Sequence, residues 1–135
     1  MAGIRGLAEV VLIVGDMQES LHFYRDTLGL TVISPPELRG PVFLRVGAEG
    51  SSVPQQIVLA PRPPGAGAPP TERAQRVLHH IGIELEPEQF EAEWRRLEGA
   101  GLAVRTGEHP FLPVRAFYVD DPDGNEVEFV AARSI

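Results

Sequence analysis

The feature that most limits how this chain can fold is an internal repeat. Sliding the sequence on itself by 71 positions places Glu9 on His80, Leu12 on Ile83 and Phe23 on Trp94. Near the ends of the two halves, a shift of 70 places Val58 on Glu128. A repeat of this length implies two similar modules packed about a pseudo-twofold axis. Each half should then read as the same succession of elements.

In the first half, Leu7 to Val14 is an apolar, β-branched run interrupted once, by Glu9, and reads as a strand. Asp16 stands where a helix N-cap would, with Glu19 three residues later at capping-box spacing. Met17, Leu21, Tyr24 and Leu28 mark one helical face, and Gly29 suits the C′ position that ends it. Strands are expected over 30–34, 41–46 and 55–60, the last two joined by a polar, glycine-containing turn. In the second half, 77–85 reads as a strand. Pro87 opens a helix whose apolar face is Phe90, Trp94 and Leu97, and Gly99 and Gly101 end it. Strands follow over 102–105, 115–120 and 125–131. The domain reading is one domain over 1–135, with a first module at 5–61, a Pro/Gly-rich linker or flap at 62–76, and a second module at 77–135.

Composition narrows the function classes. At 135 residues and 43% apolar content, the chain has the size and make-up of one globular unit with a real core. A net charge of −7 and a pI near 5.0 argue against nucleic acid or an anionic membrane as partner. The chain has no cysteine, which excludes disulfides, a thiolate nucleophile and a Cys-based zinc site. No run of about 18 apolar residues and no signal-peptide pattern stands out, so a cytoplasmic location is expected. No glycine-rich loop leads into a helix start, so nothing points to a bound nucleotide.

The stretch Asp120 to Phe129 carries the first sign of a site. Pro122 presets φ for a tight turn, Asp123 is placed to bond its own backbone two residues on, and Gly124 takes a positive φ. Beyond the turn, Val127 and Phe129 alternate with Glu126 and Glu128, the period of a strand with two unlike faces. If the apolar pair faces the core, Glu128 lies on the other side, where a carboxylate is either solvated or holds something. Glu9 raises the same question on the first strand. Taken alone, His80 would pass for an ordinary strand histidine, with His79 pointing to the opposite face.

Three stretches together resemble one family. Asp16 to Leu30 (DMQESLHFYRDTLGL), His79-His80-Ile81 and Asp121 to Phe129 (DPDGNEVEF) are similar to signatures of the vicinal oxygen chelate superfamily. That superfamily includes glyoxalase I, extradiol dioxygenases, fosfomycin-resistance enzymes and bleomycin-binding proteins. The resemblance covers nearly the whole chain. It implies an α+β fold of two tandem βαβββ modules forming a half-open barrel around a metal. Family ligands come from the first and last strand of each module, positions that fall here on Glu9, Val58, His80 and Glu128. Val58 cannot coordinate, which leaves a carboxylate, an imidazole and a second carboxylate. Members of this length are often homodimers, and the resemblance implies the same here.

Such a donor set suits one divalent ion, Mn²⁺, Fe²⁺, Ni²⁺ or Zn²⁺, with open positions for water or a chelating substrate. The ion would act as a Lewis acid on a carbonyl, enolate or phosphoryl oxygen. One imidazole fewer than in a 2-His-1-carboxylate triad puts redox-neutral isomerase, lyase or addition chemistry ahead of dioxygenation. Glu9 and Glu128 are the expected catalytic residues, Glu9 alternatively as a general base off the metal. Expected substrate contacts are Phe43 and Arg45, which share strand parity, and Gln56, two residues from Val58 on the same face. His109, Arg115 and Tyr118 join them as the rim of the irregular loop GEHPFLPVR. The alternative is a metal-free module that sequesters a small molecule such as an antibiotic, as the bleomycin-binding members do. Its acidic charge would suit a cationic ligand.

Overall fold

The computed structural model describes residues 3–50, 52–67, 70 and 72–133. The chain divides into two compact units, Met1–Ala68 and Pro69–Ile135. No described helix is long and apolar enough to cross a membrane.

In the first unit, β1 (Glu9–Val14) leads into α1 (Met17–Leu21), which continues as a π-helical segment, His22–Thr27. The strands β2 (Thr31–Val32), β3 (Val42–Val46) and β4 (Gln55–Pro61) complete a sheet of order β1-β4-β3-β2. The edge strand β1 runs parallel to β4, and the other neighbours are antiparallel. Asp16 caps α1 as its position suggests, Oδ1 accepting from Glu19 N–H at 3.0 Å. The helical face differs from the expected one. Leu28 N–H bonds to Phe23 O at 2.8 Å, a five-residue step that widens the turn and rotates the remainder of the helix. Ser20, Phe23 and Tyr24 become the buried residues, while Met17, Leu21 and Leu28 are only half-buried. α1 packs on β4, so Leu12, Val14, Leu44, Ile57 and Leu59 on the helix-covered face are buried.

The second unit repeats this plan with β5 (His80–Glu84), α2 (Phe90–Gly99), β6 (Arg105–Gly107), β7 (Val114–Asp120) and β8 (Glu126–Ala132), in the order β5-β8-β7-β6. A single 3₁₀ turn, Pro87–Gln89, precedes α2. Its C-terminus closes with Gly101 N–H on Glu98 O at 2.9 Å and Leu102 N–H on Leu97 O at 3.1 Å. That pattern puts C′ in the left-handed region, and Gly101 meets it at φ +92°. The expected apolar face of α2 is present: Phe90 and Leu97 are buried, and Phe90 and Trp94 close on Phe117 at 5.1 and 5.5 Å. Phe117 stacks on Phe129 at 5.1 Å. β5 starts three residues later than expected, and β6 lies over 105–107 instead of 102–105. Two modules of one topology, joined in tandem, are the α+β arrangement that the repeat implies.

Candidate functional site

Each sheet has one face under its helix and one face free of it, and strand register fixes which side chains share the free face. In the second unit Val127 and Phe129 point under α2, so Glu126 and Glu128 point away. Ladder pairing sets Gly82, Glu128, Tyr118 and Arg105 in one row across four strands. The next row is His80, Glu126 and Asp120.

Glu128 is held by one neighbour and faces another. Tyr118 Oη donates a short hydrogen bond to its Oε2, while Oε1 lies 3.9 Å from His80 Nε2. The bond to Glu128, burial and the charges of Glu128 and Glu126 push the Tyr118 phenol up to about 12. Two glycines make room for this pair. A Cβ on Gly82 would stand 3.2 Å from Glu128 Oε1, and one on Gly107 would stand 2.1 Å from Tyr118 Cε2. Tyr118 can therefore lie across the sheet only because residue 107 has no side chain.

Glu126 is in a different state. Arg73 donates to Oε2 at 2.7 Å and Arg105 to Oε1 at 3.2 Å, and Arg105 also reaches Asp120 at 2.8 Å. Burial raises the Glu126 carboxyl, but the two guanidinium groups outweigh it and leave it below the usual carboxylate range. Arg73 sits in a 3₁₀ turn, Arg73–Gln75, at the end of the expected linker, and Arg76 beside it donates to Asp123 O at 2.8 Å.

His79 departs from the expected geometry. β5 begins at His80, so strand alternation does not extend to residue 79. Its ring turns toward that of His80, with the two Nδ1 atoms 2.8 Å apart.

In the first unit, the helix-free face carries Glu9, Gln56, Arg45 and Thr31 in one row and Val11, Val58 and Phe43 in the next. Four expected site residues, Glu9, Phe43, Arg45 and Gln56, thus share one face. Arg45 is partly engaged by its own hairpin, Nε donating to Gly47 O at 3.3 Å and Nη1 lying 3.4 Å from Glu49. Val58 is buried.

Two expected contacts lie elsewhere. Arg115 is three residues from Tyr118 on a continuous strand, and odd spacing sends it to the helix side. There its guanidinium stacks 4.2 Å over the Phe90 ring and bonds to Glu91. His109 Nδ1 accepts from Phe111 and Leu112 N–H at 3.2 and 2.9 Å, ordering its own loop. Four residues that shape the site were not singled out: Gly82, Gly107, Arg73 and Arg105. An isolated glycine inside the apolar run 77–85 was a signal for close approach. Arg73 lies 53 residues from Glu126 and gave none.

A sequence profile of the Glyoxalase/Bleomycin resistance protein/Dioxygenase superfamily matches residues 6–129. The chain belongs to that superfamily. Among superfamily relatives, the catechol-2,3-dioxygenase of Bacillus subtilis (strain 168) is 28% identical over 123 residues, which is 90% of this chain but only 40% of that protein. The fold is that of a glyoxalase/dioxygenase from Nostoc punctiforme, with a TM-score of 0.74 at 20% identity, covering 98% of this chain and 94% of the other. It is also that of TnmS3, an antibiotic binding protein from Streptomyces sp. CB03234, with a TM-score of 0.67 at 21% identity over 98% and 100%. Catalysts and binding proteins thus share this superfamily fold, and the fold alone does not choose between them.

The superfamily implies a divalent metal, and the donors of the second unit can be tested for it. Two ligands of one tetrahedral or octahedral ion stand about 2.9–3.4 Å apart, given bonds of about 2.0–2.1 Å. His80 Nε2 and Glu128 Oε1, at 3.9 Å, need only small side-chain rotations to meet that spacing. Tyr118 occupies the other oxygen of Glu128, as an outer-shell partner of a ligating carboxylate does. These residues fit.

Proposed function

We propose that this chain is a small-molecule enzyme of its superfamily that works with one divalent metal ion, held by His80, Glu128 and Glu9. The observation that carries the reading is the opposition of His80 Nε2 and Glu128 Oε1 on the helix-free face, with Tyr118 fixing the remaining carboxylate oxygen. Glu9 enters through the repeat, which gives it the place in β1 that His80 has in β5. The ion would be Mn²⁺, Fe²⁺, Ni²⁺ or Zn²⁺ and, when bound, would supply Lewis acidity toward adjacent oxygens of the substrate. One imidazole among three ligands supports redox-neutral lyase or isomerase chemistry ahead of dioxygenation. Phe43 offers an apolar wall, Gln56 a hydrogen bond, and Arg45 a cation for a substrate carboxylate or phosphate. Glu9 or Glu128 would move the proton that such chemistry requires. The reading carries with it a cytoplasmic homodimer.

Metal content of protein purified without chelator or histidine tag tests the reading, beside His80→Ala and Glu128→Ala. About one equivalent of divalent metal is expected in the parent protein and a loss in both variants. No binding even after Mn²⁺, Fe²⁺, Ni²⁺ or Zn²⁺ is added would sink it.

A second reading, metal-free sequestration of a small molecule, is favoured by one observation. Val58, at a family ligand position, is buried beside Phe43 and Val11, an apolar row without a donor. Thermal-shift screening of cationic antibiotics on the metal-free protein would then be the relevant assay.

A further inference from the structure

We infer that Arg73 gates metal loading: while its guanidinium donates to His79 Nε2, the His79–His80 pair presents an N–H, and not a lone pair, toward Glu128. The inference rests on the metal reading above and concerns a residue to which that reading gives no role.

Arg73 Nη2 carries two N–H groups and has two acceptors in reach, Glu126 Oε2 at 2.7 Å and His79 Nε2 at 3.5 Å. A guanidinium offers no lone pair, so His79 Nε2 is the acceptor and a neutral His79 carries its hydrogen at Nδ1. That Nδ1 lies 2.8 Å from His80 Nδ1, too close for two N–H groups or two lone pairs. His80 Nδ1 therefore accepts, and the hydrogen of a neutral His80 stands at Nε2. It faces Glu128 Oε1 at 3.9 Å, while Tyr118 donates to the other oxygen of that carboxylate. The donors thus point one way, from Arg73 through both rings toward Glu128.

A metal at His80 Nε2 needs the opposite order. The His80 hydrogen would have to move to Nδ1, His79 Nδ1 would become its acceptor, and the His79 hydrogen would stand at Nε2 against an Arg73 N–H. Ligation therefore costs either the Arg73–His79 bond or the His79–His80 bond. Arg73 is the member free to give way. It lies in a 3₁₀ turn of three residues, Arg73–Gln75, and its side chain is 53% exposed, whereas His80 is fixed in β5 by its ladder to β8. Arg76 anchors the turn separately: it donates to Asp123 O at 2.8 Å and lies across the space that a side chain on Gly124 would fill. The turn can stay docked through Arg76 while the Arg73 side chain swings off His79.

Zinc alone serves as probe, titrated into the full chain and into Arg73→Ala, Arg105→Ala and His80→Ala. Arg73→Ala should bind zinc about tenfold more tightly, the worth of about one hydrogen bond from a charged donor. Arg105→Ala removes the other guanidinium on Glu126 but leaves the Arg73–His79 bond in place, so its gain should be clearly smaller. Independently of any variant, ¹⁵N NMR of the metal-free parent in mildly alkaline buffer should show hydrogens at His79 Nδ1 and His80 Nε2. Zinc-loaded Arg73→Ala should show zinc at His80 Nε2 and both His79 nitrogens off the metal. Unchanged or weaker binding in Arg73→Ala, an equal gain in Arg105→Ala, a metal-free His80 with its hydrogen at Nδ1, or zinc on His79 would each overturn this inference alone. No zinc binding by the parent or by Arg73→Ala, or unchanged binding in His80→Ala, would overturn the metal reading and this inference with it.

Discussion

Tyr118 reaches Glu128 across a surface kept clear by glycine, and the consequences are measurable at that one phenol. The chain has two tyrosines, and Tyr24 is fully buried. An absorbance titration should find Tyr118 ionising near pH 12, well above the usual value of about 10, and Tyr118→Phe should remove that step. By linkage, a phenol whose folded pKa is raised contributes stability that is fully present below pH 10. That contribution is lost as pH rises toward 12. Gly107→Ala should drive the ring off the carboxylate, return the titration toward 10, and destabilise the fold by about 1–3 kcal/mol, read from denaturant unfolding. At this scale the sequence was legible wherever strand parity applied. Val127 and Phe129 alternating with Glu128 set it on the face opposite theirs, and Phe43, Arg45 and Gln56 fell together for the same reason. Parity also separates Arg115 from Tyr118, but the irregular loop before them hid where the strand began. His79 escaped because it precedes the first ladder pair.

The elements rest on a few local devices, and in the β7–β8 turn the sequence reading had named Asp123 and passed over Asp121. Asp121 ties it together: Oδ1 accepts from Asp123 and Asn125 N–H at 2.9 and 2.8 Å, and Oδ2 from Asn125 Nδ2 at 3.0 Å. Either aspartate could have closed an Asx turn, and sequence alone does not say which is buried. Asp121 is 5% exposed and Asp123 and Asn125 are half-buried, so Asp121→Ala would leave two partly buried backbone donors without their acceptor. A loss of about 1–3 kcal/mol is expected, measured as a shift in the urea midpoint at constant slope. Glu126, just after the turn, should add a pH dependence of the opposite sense to that of Tyr118. Its lowered folded pKa contributes stability that is present above the usual glutamate value and is lost as pH falls through the folded one. The helices were legible in their caps and in the face of α2. The face of α1 was not, because a π-helical step arises from packing and leaves no mark in an apolar periodicity of 3.6.

At the scale of the whole molecule, the repeat made the fold legible, because two weak readings of the same succession support each other. The site was legible only in part, since the arginines that hold Glu126 are placed by tertiary approach. The core of the second unit is concentrated in the Phe90, Trp94, Phe117 and Phe129 cluster, and Phe117 has no exposed surface. Phe117→Ala should therefore lower stability by about 3–5 kcal/mol, visible as an early transition in thermal unfolding. Both sheets place their last strand in the interior, between the first and the third. During synthesis β1 thus has no partner until Gln55–Pro61 has left the ribosome, and only the β2–β3 pair can form before then. A nascent chain halted short of residue 55 carries the apolar β1 with both edges open, a binding site for chaperones. Seven further residues supply the strand that joins β1 to β3, so the first sheet closes in one step and late in its own synthesis.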